Sequence, residues 1–164
     1  MIKNFIFKGA AAKQDLKTYR MGLYQAKAYR TLKQQTALLL KETDISSLDW
    51  ALLGSLSETK DGLKLGQTAE LLGVEAPFVT VVVENLEKKG LIKKVQDKVD
   101  KRARVITLSS EGKKIVTKVE ATLQKNMKKL LKGTSTEDVL GYLAVLKAIM
   151  ANDPTAPKPV APAA

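Results

Sequence analysis

Apolar side chains recur at helical spacing over most of the chain, and the places where that rhythm breaks divide it into elements. Leu16, Tyr19, Leu23, Tyr24, Ala26, Leu32, Leu38 and Leu39 keep the rhythm between Lys13 and about Lys41 with no proline among them, which predicts one long helix. Its stripe is wider than one neighbouring surface needs, so the helix suits either a core or a partner. Ser46, with Asp49 three positions on, forms a capping-box pattern. A second helix is therefore expected from near Ser47, burying Leu48, Ala51, Leu52 and Leu56. Trp50 on that helix is expected to pack under a neighbouring element. "KDGLK", residues 60–64, reads as a turn. The stretch "LGQTAELLGVEAPFVTVVVENLEKKGLI" then gives two helices parted at Gly73, the second opening around Pro77, where a first helical turn tolerates proline. Ala69 and Gly73 lie four apart, where the two helices should approach closely and the chain should turn through a conformation glycine tolerates best.

In the second of these helices Val74, Val79, Val82, Val83 and Leu86 are read as buried anchors, which turns Pro77, Phe78, Val81, Glu84 and Asn85 outward. The period changes after Gly90. Ile92, Lys94 and Gln96 precede a charged tip from Asp97 to Lys101, and Val105, Thr107 and Ser109 alternate with Arg104, Ile106 and Leu108. Two short strands joined by a charged loop fit this pattern. From Ser110 a helix carries Ile115, Val119, Leu123, Met127 and Leu130 on one face to about Lys132, where Gly133 stops it. Thr134 with Glu137, or Ser135 with Asp138, caps a last helix bearing Val139, Leu143, Leu146 and Met150. The Pro- and Ala-rich tail "NDPTAPKPVAPAA" is expected to stay extended and disordered.

Helix, helix, turn, helix, strand, charged loop, strand is the order of a winged helix-turn-helix. The expected fold is mainly α, with that unit at residues 45–109, a two-stranded β wing, and long flanking helices at 1–44 and 110–152 before a tail at 153–164. Composition narrows the function. Twenty-eight Lys and Arg against 17 Asp and Glu give a net charge of +11, which favours polyanions, nucleic acid first and an acidic membrane surface second. Simple solubility is the plainer explanation of the same surplus. The chain has neither cysteine nor histidine, which removes thiol redox chemistry, the commonest general base and the commonest metal ligand. With no cluster of acids to take over that work, no enzyme and no cofactor are expected. The opening residues are too sparsely apolar for a secretory leader, and no stretch reaches membrane-spanning length, so a cytoplasmic protein with no membrane partner is expected.

The stretch from Ile45 to Gly112 is similar to the MarR family of winged-helix transcription regulators. "ISSLDWALLGSL", "LGQTAELLGV", "VVENLEKKGLI" and above all "DKVDKRARVITLSSEGKKI" carry the likeness. Most specific is an Asp-x-Arg wing tip, Asp100 and Arg102, followed by a strand, Leu108-Ser109-x-x-Gly112 and a long helix. The resemblance implies a homodimer in which the N-terminal and last two helices interleave, giving Leu16, Tyr19, Leu23, Val139, Leu143, Leu146 and Met150 an interface. It implies two recognition helices in successive major grooves of a pseudo-palindromic site on double-stranded DNA. It also implies a wing whose Arg102 enters the minor groove, with Asp100 holding that arginine. Lys98, Lys101 and Arg104 become candidate phosphate contacts, as do Lys88 and Lys89, which equally complement the helix C-terminus. Repression is the expected regulatory sense. A small aromatic anion is a further implied ligand, with Tyr19, Tyr24, Tyr29 and Trp50 available to line its crevice or simply to pack.

One departure stands out. Family recognition helices commonly begin with Ser or Thr for phosphate and then an Arg that reaches base edges. Here the matching positions are Pro77, Phe78 and Val81, and only Thr80 keeps its type. Nothing on this helix offers the paired donors that read guanine, although apolar side chains can meet thymine methyls and Asn85 can reach an adenine. Two functions follow: a DNA-reading regulator whose charge chemistry lies mainly in the wing, or a degenerate winged helix that contacts a protein through Pro77, Phe78 and Val81 and binds DNA without sequence preference.

Overall fold

The computed structural model describes residues 17–97, 100–101 and 103–155 of the 164. The first helix, α1, runs Thr18–Leu40 and is followed by a 3-10 turn at Lys41–Thr43. Lys17 is extended rather than helical; the rest of the expected beginning, 13–16 with Leu16, lies outside the described residues. Helix α2 spans Ser47–Ser57, β1 Leu63–Lys64, α3 Leu65–Leu72 and α4 Ala76–Lys88. Strands β2 (Ile92–Gln96) and β3 (Arg104–Leu108) form the wing hairpin, and α5 (Ser110–Leu130) and α6 (Thr136–Ala151) complete the described chain. The expected disordered tail falls, from residue 156 on, outside the described residues. Asp153 and Thr155 just before it form a local turn, with the Thr155 N–H donating to Asp153 Oδ1 at 2.8 Å.

The capping box that placed the start of α2 is formed in both directions. The Asp49 N–H donates to Ser46 Oγ at 3.0 Å and the Ser46 N–H to Asp49 Oδ2 at 2.8 Å. The buried side of α2 is Leu52, Leu53 and Leu56, with Leu48 and Trp50 packed at its edge. Ala51, expected inside, is exposed and Leu53 takes its place. A leucine-rich run satisfies two neighbouring helical faces equally well, and the partner surface chooses between them.

The sheet has three antiparallel strands in the order β1-β3-β2. The wing hairpin is joined by β1, which pairs Leu63 with Ile106 and Lys64 with Val105. A two-residue strand has no period to read, so "KDGLK" showed only its turn. Gly62 makes that pairing possible. Its φ is +84°, and a Cβ there would run into the Ile106 carbonyl oxygen. Val105 and Ile106 are both buried, because the β3 backbone is covered on both faces rather than one.

Thirteen apolar residues form one cluster: Leu40 and Ile45 from the α1–α2 corner, the three leucines of α2, Val79, Val82, Val83 and Leu86 from α4, Leu91 and Ile92, Ile106, and Val119 from α5. Val74, read as a buried anchor, is half-buried at the edge of this cluster. Gly73 ends α3 at φ +62°, so its conformation demands glycine; a Cβ there would meet nothing within 4 Å, and the expected close helix approach is not made at this residue.

Residues 17–124 and 125–155 fall in two separate compact units, each described by itself. In the second, Gly133 stops the preceding helix at φ +92°. The Ser135–Asp138 alternative is the one that caps α6, with Ser135 N–H to Asp138 Oδ2 at 2.8 Å and Asp138 N–H to Ser135 Oγ at 3.1 Å. The hydrogen bond from the Ser135 backbone, and then that with its side chain, holds the Asp138 carboxyl below the ordinary aspartate value of 3.8. A depressed folded-state value means that this cap stabilises α6 fully above the unfolded value and loses its contribution as pH falls through the folded one. Carboxyl-carbon NMR titration should place the Asp138 midpoint below 3.8, and Ser135→Ala should move it upward; an unshifted Asp138 would show that the cap does not form in solution.

Candidate nucleic-acid interface

Helix α4 has two distinct sides. Val79, Val82, Val83 and Leu86 are between 0% and 6% exposed and lock it onto the core. Pro77, Phe78, Thr80, Val81, Glu84, Asn85 and Lys88 are exposed, with Phe78 at 53% and Val81 at 51%. Helical spacing sets Pro77, Val81, Glu84 and Lys88 along one ridge directly opposite the anchors, with Thr80 on one flank and Phe78 and Asn85 on the other. Proline falls in the first turn, where its missing N–H costs no helical bond. The Thr80 hydroxyl donates back to the Ala76 carbonyl at 3.2 Å. Its proton is thereby used inside the helix, and its outward oxygen is an acceptor.

The C-terminal end of α4 is tied down by groups that periodicity does not reveal. Lys89 forms an ion pair with Asp44 Oδ2 at 3.3 Å and donates to the Asp44 carbonyl as well. Asp44 itself sits at φ +53°, a left-handed conformation that aspartate tolerates better than most residues. The Lys89 side chain, a candidate phosphate contact, thus also holds α4 to the α1–α2 corner. Glu87 receives Lys94 of β2 at 2.7 Å, which couples helix to wing. Gly90 turns at φ +70°, and the Leu91 N–H reaches back to the Leu86 carbonyl at 3.0 Å.

The motif Leu108-Ser109-x-x-Gly112 acquires a physical meaning at the same place. Ser109 leaves the strand and is buried. Its N–H donates to the Leu91 carbonyl at 3.1 Å and its hydroxyl to the Gly90 carbonyl at 2.6 Å, while its oxygen accepts the Gly112 N–H at 2.9 Å. A Cβ on Gly112 would overlap the Leu91 carbonyl oxygen. Strand β3, the start of α5 and the exit from α4 therefore meet around one backbone carbonyl.

The wing is organised by Asp97, read from sequence only as part of a charged tip. Its Oδ1 accepts the Asp100 N–H at 2.8 Å, its N–H donates to the Ala103 carbonyl at 3.0 Å, and its Oδ2 lies 3.7 Å from Lys64 Nζ. The signal was present in kind: an aspartate opening a short loop bonds its own backbone a few residues on. Lys101, Asp100 and Arg104 are exposed. Lys98 and Arg102, the other wing candidates, lie outside the described residues. Of the remaining candidates, Tyr19 and Leu23 on α1 are 62% and 44% exposed, and Leu143 and Met150 on α6 are 45% and 66% exposed. Val139 and Leu146 are half-buried. No described helix is long and apolar enough to cross a membrane.

A model of the MarR family matches residues 45–103. Among solved structures, CouR of Rhodococcus jostii RHA1, bound to p-coumaroyl-CoA, superposes with a TM-score of 0.73 at 17% identity, covering 84% of this chain and 95% of that one. The transcriptional regulator BldR of Sulfolobus solfataricus gives 0.70 at 21% identity, over 88% and 99% of the two chains. An S. aureus MepR mutant bound to an oligodeoxyribonucleotide gives 0.55 at 27% identity, over 82% and 97%.

The crowded junction makes a direct test of this geometry. Gly112→Ala forces a Cβ against the Leu91 carbonyl and should cost roughly 1–3 kcal/mol. Ser109→Ala leaves the buried Gly112 N–H and the part-buried Gly90 carbonyl short of a partner, at about 1–3 kcal/mol. Urea unfolding reads both, and midpoints equal to that of the unsubstituted protein would show that the junction is not packed as described.

Proposed function

We propose, from the match of residues 45–103 to the MarR family model, that the chain is a MarR-type cytoplasmic transcriptional regulator, a repressor, that binds a pseudo-palindromic site on double-stranded DNA as a homodimer. The observation that carries this reading is α4, whose one side is sealed into the core by Val79, Val82, Val83 and Leu86 while the other is open to solvent. The same helix is coupled through Glu87 and Lys94 to a wing with exposed Lys101 and Arg104. In this reading Pro77, Phe78, Thr80, Val81 and Asn85 line the major groove, with Lys88 and Lys89 near phosphates. Arg102 enters the minor groove, positioned by Asp100. Lys98, Lys101 and Arg104 supply charge to the backbone. A guanidinium suits the narrow minor groove because it is weakly hydrated and always charged. The +11 balance supports an affinity dominated by phosphate contacts.

The dimer draws on the exposed apolar side chains of the flanking helices, Tyr19 and Leu23 on α1 and Leu143 and Met150 on α6. Surfaces of that kind are covered in a stable assembly. A small aromatic effector is a further part of the proposal. Tyr19, Tyr24 and Tyr29 remain exposed to meet it, whereas Trp50 is packed against the core. The outward Pro77, Phe78 and Val81 also favour a second reading, a protein contact made through α4 with only non-specific DNA binding; a protein of that kind would enrich no sequence from a random pool.

Selection from random double-stranded DNA should return a two-fold symmetric site, and sedimentation should give twice the 17.9 kDa chain mass. On the selected site, Arg102→Ala should weaken binding roughly 10- to 100-fold at fixed salt. Raising salt should weaken binding further along a linear log–log slope. Unchanged affinity of Arg102→Ala would remove the wing assignment, and a monomer at micromolar concentration would remove the dimer.

A further inference from the structure

We infer that α4 reads thymine through its 5-methyl group, with Val81 and Phe78 as the specificity-determining side chains and Glu84 as a discriminator against guanine; this rests on the DNA-binding reading proposed above. The ridge opposite the buried anchors, with Phe78 on its flank, is an unusual set of groups for a helix that enters a polyanion. Val81 and Phe78 each present about half of their surface to solvent, on a helix whose opposite side is held rigidly by four nearly fully buried side chains. Exposed apolar groups on so well fixed an element are pre-organised for contact, because little ordering entropy is left to lose when they meet a partner.

The chemistry of the ridge selects among base edges. Guanine offers the major groove only acceptors, N7 and O6, and adenine offers N7 with one amino group. Reading guanine needs donors, yet around Val81 the side chains of Phe78 and Pro77 have none, Glu84 is acceptor-only when ionised, and the Thr80 proton is already given to the Ala76 carbonyl. The donors that α4 does expose, the Asn85 amide and the Lys88 ammonium, lie about one and two turns beyond Val81 toward the C-terminal end. A carboxylate at Glu84 turned toward O6 and N7 is repelled. Thymine, by contrast, offers a methyl group for which apolar contact is the matching interaction. The occupant of this face is therefore a duplex with thymine at the base pairs beneath Val81 and Phe78. The net +11 balance and the exposed basic residues of the wing, Lys101 and Arg104, favour that occupant over an apolar protein surface, which would leave the same charge unanswered.

The experiment uses the full-length protein and the site it selects from random duplexes. Each major-groove thymine is replaced in turn by deoxyuridine, which deletes the methyl and keeps the pairing. At one or more positions per half-site the substitution should weaken binding by about fourfold, the factor expected for one methyl removed from an apolar contact. Val81→Ala or Phe78→Ala should erase that penalty at its own position and leave it at the other. Both positions are exposed, so these variants keep the fold, checked by an unchanged urea midpoint. Glu84→Gln should raise the tolerance for guanine at the neighbouring base pair. Equal affinity for thymine- and uracil-containing sites would overturn methyl reading while leaving the DNA-binding regulator intact. Failure to enrich any site would instead overturn the regulator reading itself.

Discussion

The Leu91 carbonyl is the point on which the winged part of this protein depends. It lies where α4 gives way to β2, accepts the Ser109 N–H at the end of β3, and leaves room for nothing larger than glycine at position 112 on the first turn of α5. Three elements that would otherwise meet through side chains of adjustable length meet through backbone, whose dimensions do not adjust. The Ser109 hydroxyl completes the arrangement by joining the Gly90 carbonyl to the Gly112 N–H. The placement of the end of β3 against the exit from α4 follows from this contact. Register follows too: a slip of one residue in β3 would carry Val105 and Ile106 away from their places and undo the hairpin pairing.

Around this fixed corner the charge is distributed unevenly. Helix α4 carries little of it outward apart from Glu84, Glu87 and Lys88, and Glu87 is occupied by Lys94. Lys89 is similarly drawn into the fold by Asp44. The wing and the first turns of α5 hold exposed cations instead, among them Lys101, Arg104, Lys113 and Lys114. Cations spread over a surface in this way attract a polyanion without regard to its sequence. The outward ridge of α4 carries instead one anion, Glu84, and one cation, Lys88, beside the apolar Pro77 and Val81.

The flanking helices leave much apolar surface exposed among the described residues. Helix α1 buries only Leu40 among its described residues, and α6 buries none. Amphipathic helices draw most of their stability from packing one face rather than from intrinsic propensity, so exposed stripes of this length call for a covering surface. The exposure of Tyr24 and Leu38 beside Tyr19 and Leu23 on α1, and of Leu140 and Ile149 beside Leu143 and Met150 on α6, is spread along the helices rather than confined to one spot.

Much of this was legible in the amino-acid order, for reasons that are local. The Ser46–Asp49 box, the stops at Gly73 and Gly133, the inward set Val79, Val82, Val83 and Leu86, and the outward set Pro77, Phe78 and Val81 are all consequences of helical geometry acting within a few residues. What tertiary structure decided lies between residues far apart in the chain. The pairing of β1 with β3, the burial of Leu53 in place of Ala51, the hold of Asp44 on Lys89, and the role of Asp97 in bonding both the wing tip and Lys64 have no periodic signature. The motif around Ser109 and Gly112 stands between the two. Its letters were visible in sequence, but the need for a small residue at 112 exists only because the Leu91 carbonyl arrives there from another element, and no property of residues 108–112 by themselves contains that approach.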